Sequence, residues 1–271
     1  MSAVGDRADA ELSRDVAREA GALLLDVRRS FGDLDPADRD RAKSLRDTAD
    51  REAHLLILRR LTDERPDDVV LSEEGVDDIA RMTARRVWIV DPLDGTWEYG
   101  QGRDDFAVHI ALWHDDGRLT AGTVDLPASG RTYSVLDEVP SYSGLPLDRG
   151  VRIVVSRSRR PADLDEVIAH LTSLIAEEGH VGVTVEAIAV GSVGAKAAEL
   201  FAGRAEIYLH DTGFRDWDLA APLAVAEHRG LWCSSPDGSP LPLNLRPPVQ
   251  PGVVMAVPAL ATAVRTALHL P

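Results

Sequence analysis

The chain of 271 residues contains one cysteine, Cys233. A single thiol cannot close an intrachain disulfide, and it also excludes a cysteine-rich metal site. Aromatic residues amount to only 5% of the chain, and 30 basic residues face 45 acidic ones. The resulting formal net charge of −15 repels nucleic acid polymers, so long polynucleotides are not expected as partners. Long hydrophobic runs are missing as well, since nothing approaches the roughly 18 continuous apolar residues of a membrane span. The N-terminal stretch MSAVGDRADAELSRDVAREAGALLLDV carries acids from Asp6 onward and spaces its apolar residues as a helix does, unlike a signal peptide. What remains is a soluble, cytoplasmic protein. Its 44% hydrophobic content is enough for a large core, in one compact body of two lobes.

Hydrophobic spacing predicts a helix over 8–30, through Leu12, Val16, Ala20, Leu23, Leu24 and Val27, and a second from about Thr48 to Glu64, stopped by Pro66. Short Val- and Ile-rich runs follow as strands: DVVLSEE, RRVWIVD, FAVHIALW, LTAGTVDL and RTYSVL, with a turn at HDDGR. The Pro-, Ser- and Gly-rich stretch 138–150 is the candidate boundary between an N-terminal lobe, 1–148, and a C-terminal lobe, 149–271. Beyond it the rhythm becomes strand VRIVVS, helix 162–178, strand VGVTVEAIA, helix 193–202, strand AEIYLH and helix 216–229. The first lobe reads as α+β with an antiparallel sheet and the second as α/β. The Pro-rich segment 236–251 reads as a long surface loop.

Acidic doublets are common here, and any one of them alone reads as a solvated pair. Glu73 and Asp91 differ because each closes an apolar strand, where ligands collect in such sheets. Asp94 follows Asp91 by three residues and turns to the same side if the strand passes into a helix near Gly95. Carboxylates crowded in this way repel one another and resist desolvation, so they need a cation or raised pKa values. An all-oxygen set favours Mg²⁺ or Mn²⁺ over zinc, and the Leu93 carbonyl offers a further oxygen. Gly95 and Thr96 would present helix N–H groups to a phosphate beside that cation. Asp218, at the start of the Ala-rich helix in RDWDLAAPLAVAEHRG, reads equally as a helix cap. In GSVGAK, Gly191, Ser192 and Lys196 read either as an anion site or as an ordinary helix start.

In their order, LSEEG, WIVDPLDGTWEY, GSVGAK and WDLAAPLAVAEHRG resemble the signature segments of the inositol monophosphatase superfamily of metal-dependent phosphatases. The resemblance implies an αβαβα layered fold over nearly the whole chain. It also implies Glu73, Asp91, Asp94 and Asp218 as metal ligands, with the Leu93 carbonyl, and two or three Mg²⁺ ions, Mn²⁺ being an alternative. Glu74 would be a neighbouring acid. Gly95 and Thr96 would hold the scissile phosphate, with the Thr96 hydroxyl helping to position the attacking water. Glu98, Lys196 and the Ser156–Arg157 pair of VVSRSR look more like the 3'(2'),5'-bisphosphate nucleotidase (CysQ) branch than the inositol phosphatases proper. That branch implies hydrolysis of adenosine 3',5'-bisphosphate, or of 3'-phosphoadenylyl sulfate, in sulfur metabolism. Ser156, Arg157, Ser192 and Lys196 would then contact the rest of the substrate, and a homodimer is implied. One position departs from the pattern. Ser44 stands in KSLRDTADREAH where the family has an acid, Asp47 one turn later could reach the same water, and Asp50 matches the segment's closing acid.

An inositol or sugar phosphatase on the same scaffold remains open, as does a nucleotide sensor that kept the acids and lost turnover. An aspartyl-phosphate mechanism needs Asp-x-Asp, and the spacing here is Asp-x-x-Asp. His109 is expected as a hydrogen-bonded core histidine, and His54, His170 and His228 as solvated helix residues. Cys233 is expected as an apolar filler, and Trp97 and Tyr99 as helix packing, with flanking an adenine as the alternative.

Overall fold

The computed structural model describes residues 3–33, 35, 37–140 and 149–270. Two long helices begin the chain, α1 (Ala3–Ser30) and α2 (Arg39–Glu64). Helix α2 starts well before the Thr48 expected from hydrophobic spacing, because Asp38 caps it by accepting from Arg41 N. Five strands follow, β1 (Val69–Ser72), β2 (Arg86–Asp94), β3 (Ala107–His114), β4 (Leu119–Leu126) and β5 (Arg131–Ser134), in the spatial order β1-β2-β3-β4-β5. A single helical turn, α3 (Thr96–Gly100), separates β2 from β3. This sheet is antiparallel as expected except at its edge, where β1 runs parallel to β2.

The second sheet has the order β10-β12-β8-β6-β7, built from β6 (Val151–Ser156), β7 (Val185–Val190), β8 (Ile207–His210), β10 (Trp232–Ser234) and β12 (Val253–Ala256). Its β6, β7 and β8 are parallel, while β12 and β10 add antiparallel strands that no sequence pattern had marked. Strand β7 begins at Val185, later than the run VGVTVEAIA suggested. A two-stranded ribbon pairs β9 (Phe214–Arg215) with β11 (Val249–Gln250). The segment 236–251 is therefore no free surface loop, since Leu243, Asn244 and Gln250 are buried in it. Helices α4 (Leu164–Glu177), α5 (Val193–Phe201), α6 (Asp216–His228) and α7 (Ala261–Ala267) complete the chain. Most of the boundary stretch 138–150, namely 141–148, lies outside the described residues.

Packing yields the expected αβαβα order: α1 and α2, the first sheet, α5 and α6, the second sheet, then α4 and α7. The first sheet is buried on both faces, which is why its strands read as unbroken apolar runs. Alternation sorts them. Trp88, Val90, Val108, Ile110 and Leu112 face α1 and α2, while Val87, Ile89, Ala107 and Ala111 face α5 and α6. The α6 side uses small residues, which lets that helix come close. A Cβ placed on Gly122 of β4 would sit 2.3 Å from Ala224 Cβ of α6. Among the described residues no helix is long and apolar enough to cross a membrane.

Gly122→Ala is expected to cost about 1–3 kcal/mol of stability by overpacking this contact, read as a lower urea midpoint with an unchanged slope.

Candidate active site

The acidic end of β2 is shaped by one extra residue. Asp91 pairs with His109 and Asp94 with Ala107, so three steps on β2 match two on β3. A β-bulge absorbs the difference at Pro92–Leu93, where proline has no N–H to give to the ladder. In a regular strand, residues three apart point to opposite faces. The bulge puts Asp91 and Asp94 on the same face, that of His109 and Ala107. Leu93 N then donates to Asp91 Oδ1 at 3.0 Å, fixing the turn. Strand β1 pairs in parallel with β2 up to Ser72↔Val90, so Glu73 leaves the sheet beside Asp91, its N–H on the Val90 carbonyl at 3.2 Å.

Two helix starts close the cluster from the other side. Asp94 accepts from Val193 N at 3.1 Å and from Gly194 N at 2.6 Å, so it satisfies the first free N–H groups of α5. Asp218 lies in the first turn of α6 and accepts from Arg215 N at 2.6 Å. The capping role that its sequence position suggested is real, and the same carboxylate also joins the acidic cluster. Asp91, Asp94 and Asp218 each offer an oxygen within 4.8 Å of the others.

This crowding shows in the acid strengths. Burial first, then Glu73, Asp94 and Asp218, push Asp91 well above the usual carboxylate range. Burial pushes Asp218 up to about 7, with Asp94 the next cause. Glu73 rises to about 6 through burial, a rise held back by its hydrogen bond to Asp91. From α2, Asp50 rises to about 8, through burial and then Glu74 and Glu73. Asp50 Oδ1 is buried without a hydrogen-bond partner. Buried, mutually repelling carboxylates with only oxygen donors fit a hard divalent cation.

The cluster opens into a cavity of about 790 Å³. Gly95, at φ +87°, turns the chain there; a Cβ on it would sit 2.7 Å from Ser192 Cβ. Thr96 Oγ1 donates to the Leu93 carbonyl at 3.0 Å. Arg157 is held by Asp105 and lies 3.5 Å from Glu98. Lys196 is buried, and its ammonium donates to the carbonyls of Ser192, at 2.8 Å, and Gly191; burial lowers its pKa to about 8. The buried Ser156 hydroxyl accepts from Arg159 N at 3.2 Å, turning Arg159 toward the cavity. The Arg159 guanidinium has no hydrogen-bond or ion-pair partner among the described residues, and its charge acts on Lys196, Tyr208 and His210.

The model of the inositol monophosphatase family matches residues 7–267. The chain belongs to the inositol monophosphatase family. It is 42% identical over 259 residues to a 3'-phosphoadenosine 5'-phosphate phosphatase of Mycobacterium leprae, covering 91% of this chain and 88% of that one. To a 3'(2'),5'-bisphosphate nucleotidase CysQ of Shigella flexneri it is 31% identical, over 83% of this chain and 90% of that one. Among solved structures, CysQ of Bacteroides thetaiotaomicron superposes with a TM-score of 0.71 at 26% identity, covering 92% of this chain and 97% of that one.

Within this inositol monophosphatase-family fold, Asp91, Asp94, Asp218 and Glu73 come together, and Gly95, Thr96, Ser156, Arg157, Ser192 and Lys196 line the adjoining cavity. Leu93 is buried, its carbonyl accepting from Thr96. Glu74 is exposed beside Asp50, whereas Asp47 is exposed and paired with Lys43, and Ser44 is exposed as well. The acid that α2 turns inward is thus Asp50, on the flank of the buried stripe Leu45, Ala49, Ala53 and Ile57. Ser192 caps α5 by accepting from Ala195 N at 3.1 Å. Trp97 does not pack as a helix residue: it is 54% exposed and borders the cavity. Tyr99 is buried, donating to the Leu24 carbonyl at 2.7 Å. His109 is the buried sheet histidine expected, its Nε2 lying 3.3 Å from Asp94 Oδ2. His54 and His228 are half-buried rather than solvated, engaging Ser72 Oγ at 3.0 Å and the Asp137 carbonyl at 2.8 Å, and His170 is likewise half-buried, its ring against His269. Cys233 is only half-buried, its thiol pushed up by burial. Unforeseen on the cavity wall are, among others, Arg159, His210, Phe214 and Arg215; for Arg159 the serine-led turn in VVSRSRR is the signal that was there to find.

Folded-state pKa values raised above the unfolded ones contribute stability that is present at low pH and lost as pH rises through them. Without divalent cation, unfolding free energy is therefore expected to fall from about pH 4 to pH 8, as Glu73, Asp218 and Asp50 lose protons near 6, 7 and 8. Asp50→Asn should flatten the upper part of this slope. Added cation should stabilise more at pH 8 than at pH 6, because it binds deprotonated carboxylates. Urea titrations with and without chelator measure both effects.

Proposed function

We propose that this chain is a Mg²⁺-dependent phosphatase that hydrolyses adenosine 3',5'-bisphosphate to AMP and phosphate. The observation that carries this reading is an acid triad, two of its members buried and Asp218 half-buried, at one end of a cavity whose other side holds Arg159, without an ion-pair partner among the described residues. A substrate with two phosphates matches that pair of sites. The 42% identity to a 3'-phosphoadenosine 5'-phosphate phosphatase supports the same substrate. The family resemblance carries with it a cytoplasmic homodimer.

Asp91, Asp94, Asp218 and Glu73 would hold the metal, with the Leu93 carbonyl. When bound, a divalent cation there lowers the pKa of water and neutralises charge on the phosphoryl oxygens. The amides of Gly95 and Thr96 border the place of the scissile phosphate and keep it against the acids. Thr96 Oγ1, anchored on the Leu93 carbonyl, orients the attacking water, and Glu74 and Asp50 stand on that side to take its proton. In the reaction, water oxygen bonds to phosphorus, the bond from phosphorus to the ribose 3' oxygen breaks, and that oxygen is protonated. Ser192 and Lys196 shape the wall through α5. Arg157 is already neutralised by Asp105 and Glu98, so the 5'-phosphate falls to Arg159, presented by Ser156.

Phosphate release across adenosine 3',5'-bisphosphate, inositol 1-phosphate and fructose 1,6-bisphosphate tests the substrate. The first should lead, and a preference for either of the others overturns the reading. Nucleotide binding without release by the wild type would instead indicate a sensor. Asp91→Asn should fold normally, lose Mg²⁺ affinity and lower kcat by about 10²- to 10³-fold. Arg159→Gln should raise KM for the bisphosphate by about tenfold or more while leaving hydrolysis of 3'-AMP, which lacks the 5'-phosphate, unchanged.

A further inference from the structure

The acids of the site come from distant parts of the chain, Glu73 after β1 and Asp218 in α6, and nothing between them attracts one to the other. A buried network joins the segments that carry them. Arg81 is fully buried, in the segment that follows Glu73 and Glu74. Its guanidinium forks onto Asp77, with Nε at 2.5 Å and an NH at 3.1 Å from the two carboxylate oxygens. It also donates to Asn244 Oδ1 at 2.6 Å and to the Leu245 carbonyl at 2.7 Å. Asn244 Nδ2 answers by donating to the Arg81 carbonyl at 3.1 Å.

From there the network continues to α6. Leu245 N donates to Asp216 at 2.9 Å, and Gln250 Nε2 donates to the other oxygen of Asp216 at 2.7 Å. Asp216 is buried and stands two residues before Asp218, while β11 pairs with β9, whose Arg215 N caps onto Asp218. A buried arginine is costly unless its donors are matched, and here four of its five N–H directions are used. A lysine at this position would offer a point charge without the fork.

We propose that Arg81 is a positioning residue for the metal site: with Asn244 it locks the Glu73–Glu74 segment to the start of α6, so that Glu73 is held against Asp91 and Asp218 before any cation arrives. This inference rests on the metal-dependent reading of the site. The lock opposes the repulsion among the acids, and weakening it lets Glu73 and Asp218 move apart, which lowers cation affinity while the cavity cations stay in place.

The test is Mg²⁺ titration of the 271-residue chain by thermal shift and by kinetics. Arg81→Lys and Asn244→Ala should each raise the half-saturating Mg²⁺ concentration about tenfold, with KM for the nucleotide at saturating Mg²⁺ within twofold of wild type. Asp77→Asn, at the half-exposed end of the fork, should give a smaller rise and decides the matter if the other two do not fold. As a control, Arg86→Lys disturbs the pairs with Asp68 and Asp9 at the opposite end of β2 and should lower stability without changing the Mg²⁺ midpoint. If the lock variants only lose stability, with the Mg²⁺ midpoint unmoved, the positioning role is overturned. Wild-type protein with no Mg²⁺ response overturns the metal-dependent reading along with it.

Discussion

Repulsion among carboxylates crowded into a largely buried cluster is the constraint on which the centre of this molecule depends. Asp91, Asp94 and Asp218 meet within 4.8 Å, with Glu73 bonded to the first and Asp50 close behind. Left to itself such a group would separate or take up protons, and the raised pKa values record the second response. Separation is prevented by the frame. Asp91 and Asp94 sit on a strand in the middle of a sheet covered on both sides, and Asp94 and Asp218 are each engaged by backbone N–H groups at helix starts. The helix ends supply partial positive charge in place of a full cation, which lets the cluster exist before one binds.

Placing the acids costs the sheet its regularity at one point only. A bulge at Pro92–Leu93 aligns two residues that a plain strand would send to opposite faces, and the same irregularity delivers the chain to Gly95 and Thr96 at the cavity. The small residues on the α6 face of the sheet have the same purpose. Had Ala107, Ala111 and Gly122 been larger, α6 could not have brought Asp218 over the end of β2.

Much of this was legible from residue order alone. Strand ends marked by Glu73 and Asp91 and the helix at Asp218 follow from hydrophobic periodicity, and the layered arrangement follows from the family resemblance of the motifs. Local spacing was silent where tertiary contacts decide. Which acid of α2 faces inward depends on the rotation of the whole helix, so Asp50 is turned in and Asp47 is turned out to Lys43. Strands β10 and β12 were not marked by any sequence pattern, and in the fold β12 pairs with the edge of β8 and β10 with β12. The segment 236–251 has the composition of a loop, yet buried polar side chains such as Asn244 and Gln250 hold it, and their partners are far away in the chain.

The allotment of cations in the cavity follows from the same electrostatics. A chain of net charge −15 repels an anionic ligand at a distance, so recognition has to be local. Lys196 donates to two backbone carbonyls, and Arg157 pairs with Asp105 and lies near Glu98. Two other arginines on the cavity wall, Arg159 after the turn at Ser156 and Arg215, have no ion-pair partner among the described residues. Counting basic residues in a motif therefore overstates its capacity to bind anions; what matters is which of them the fold leaves without a partner.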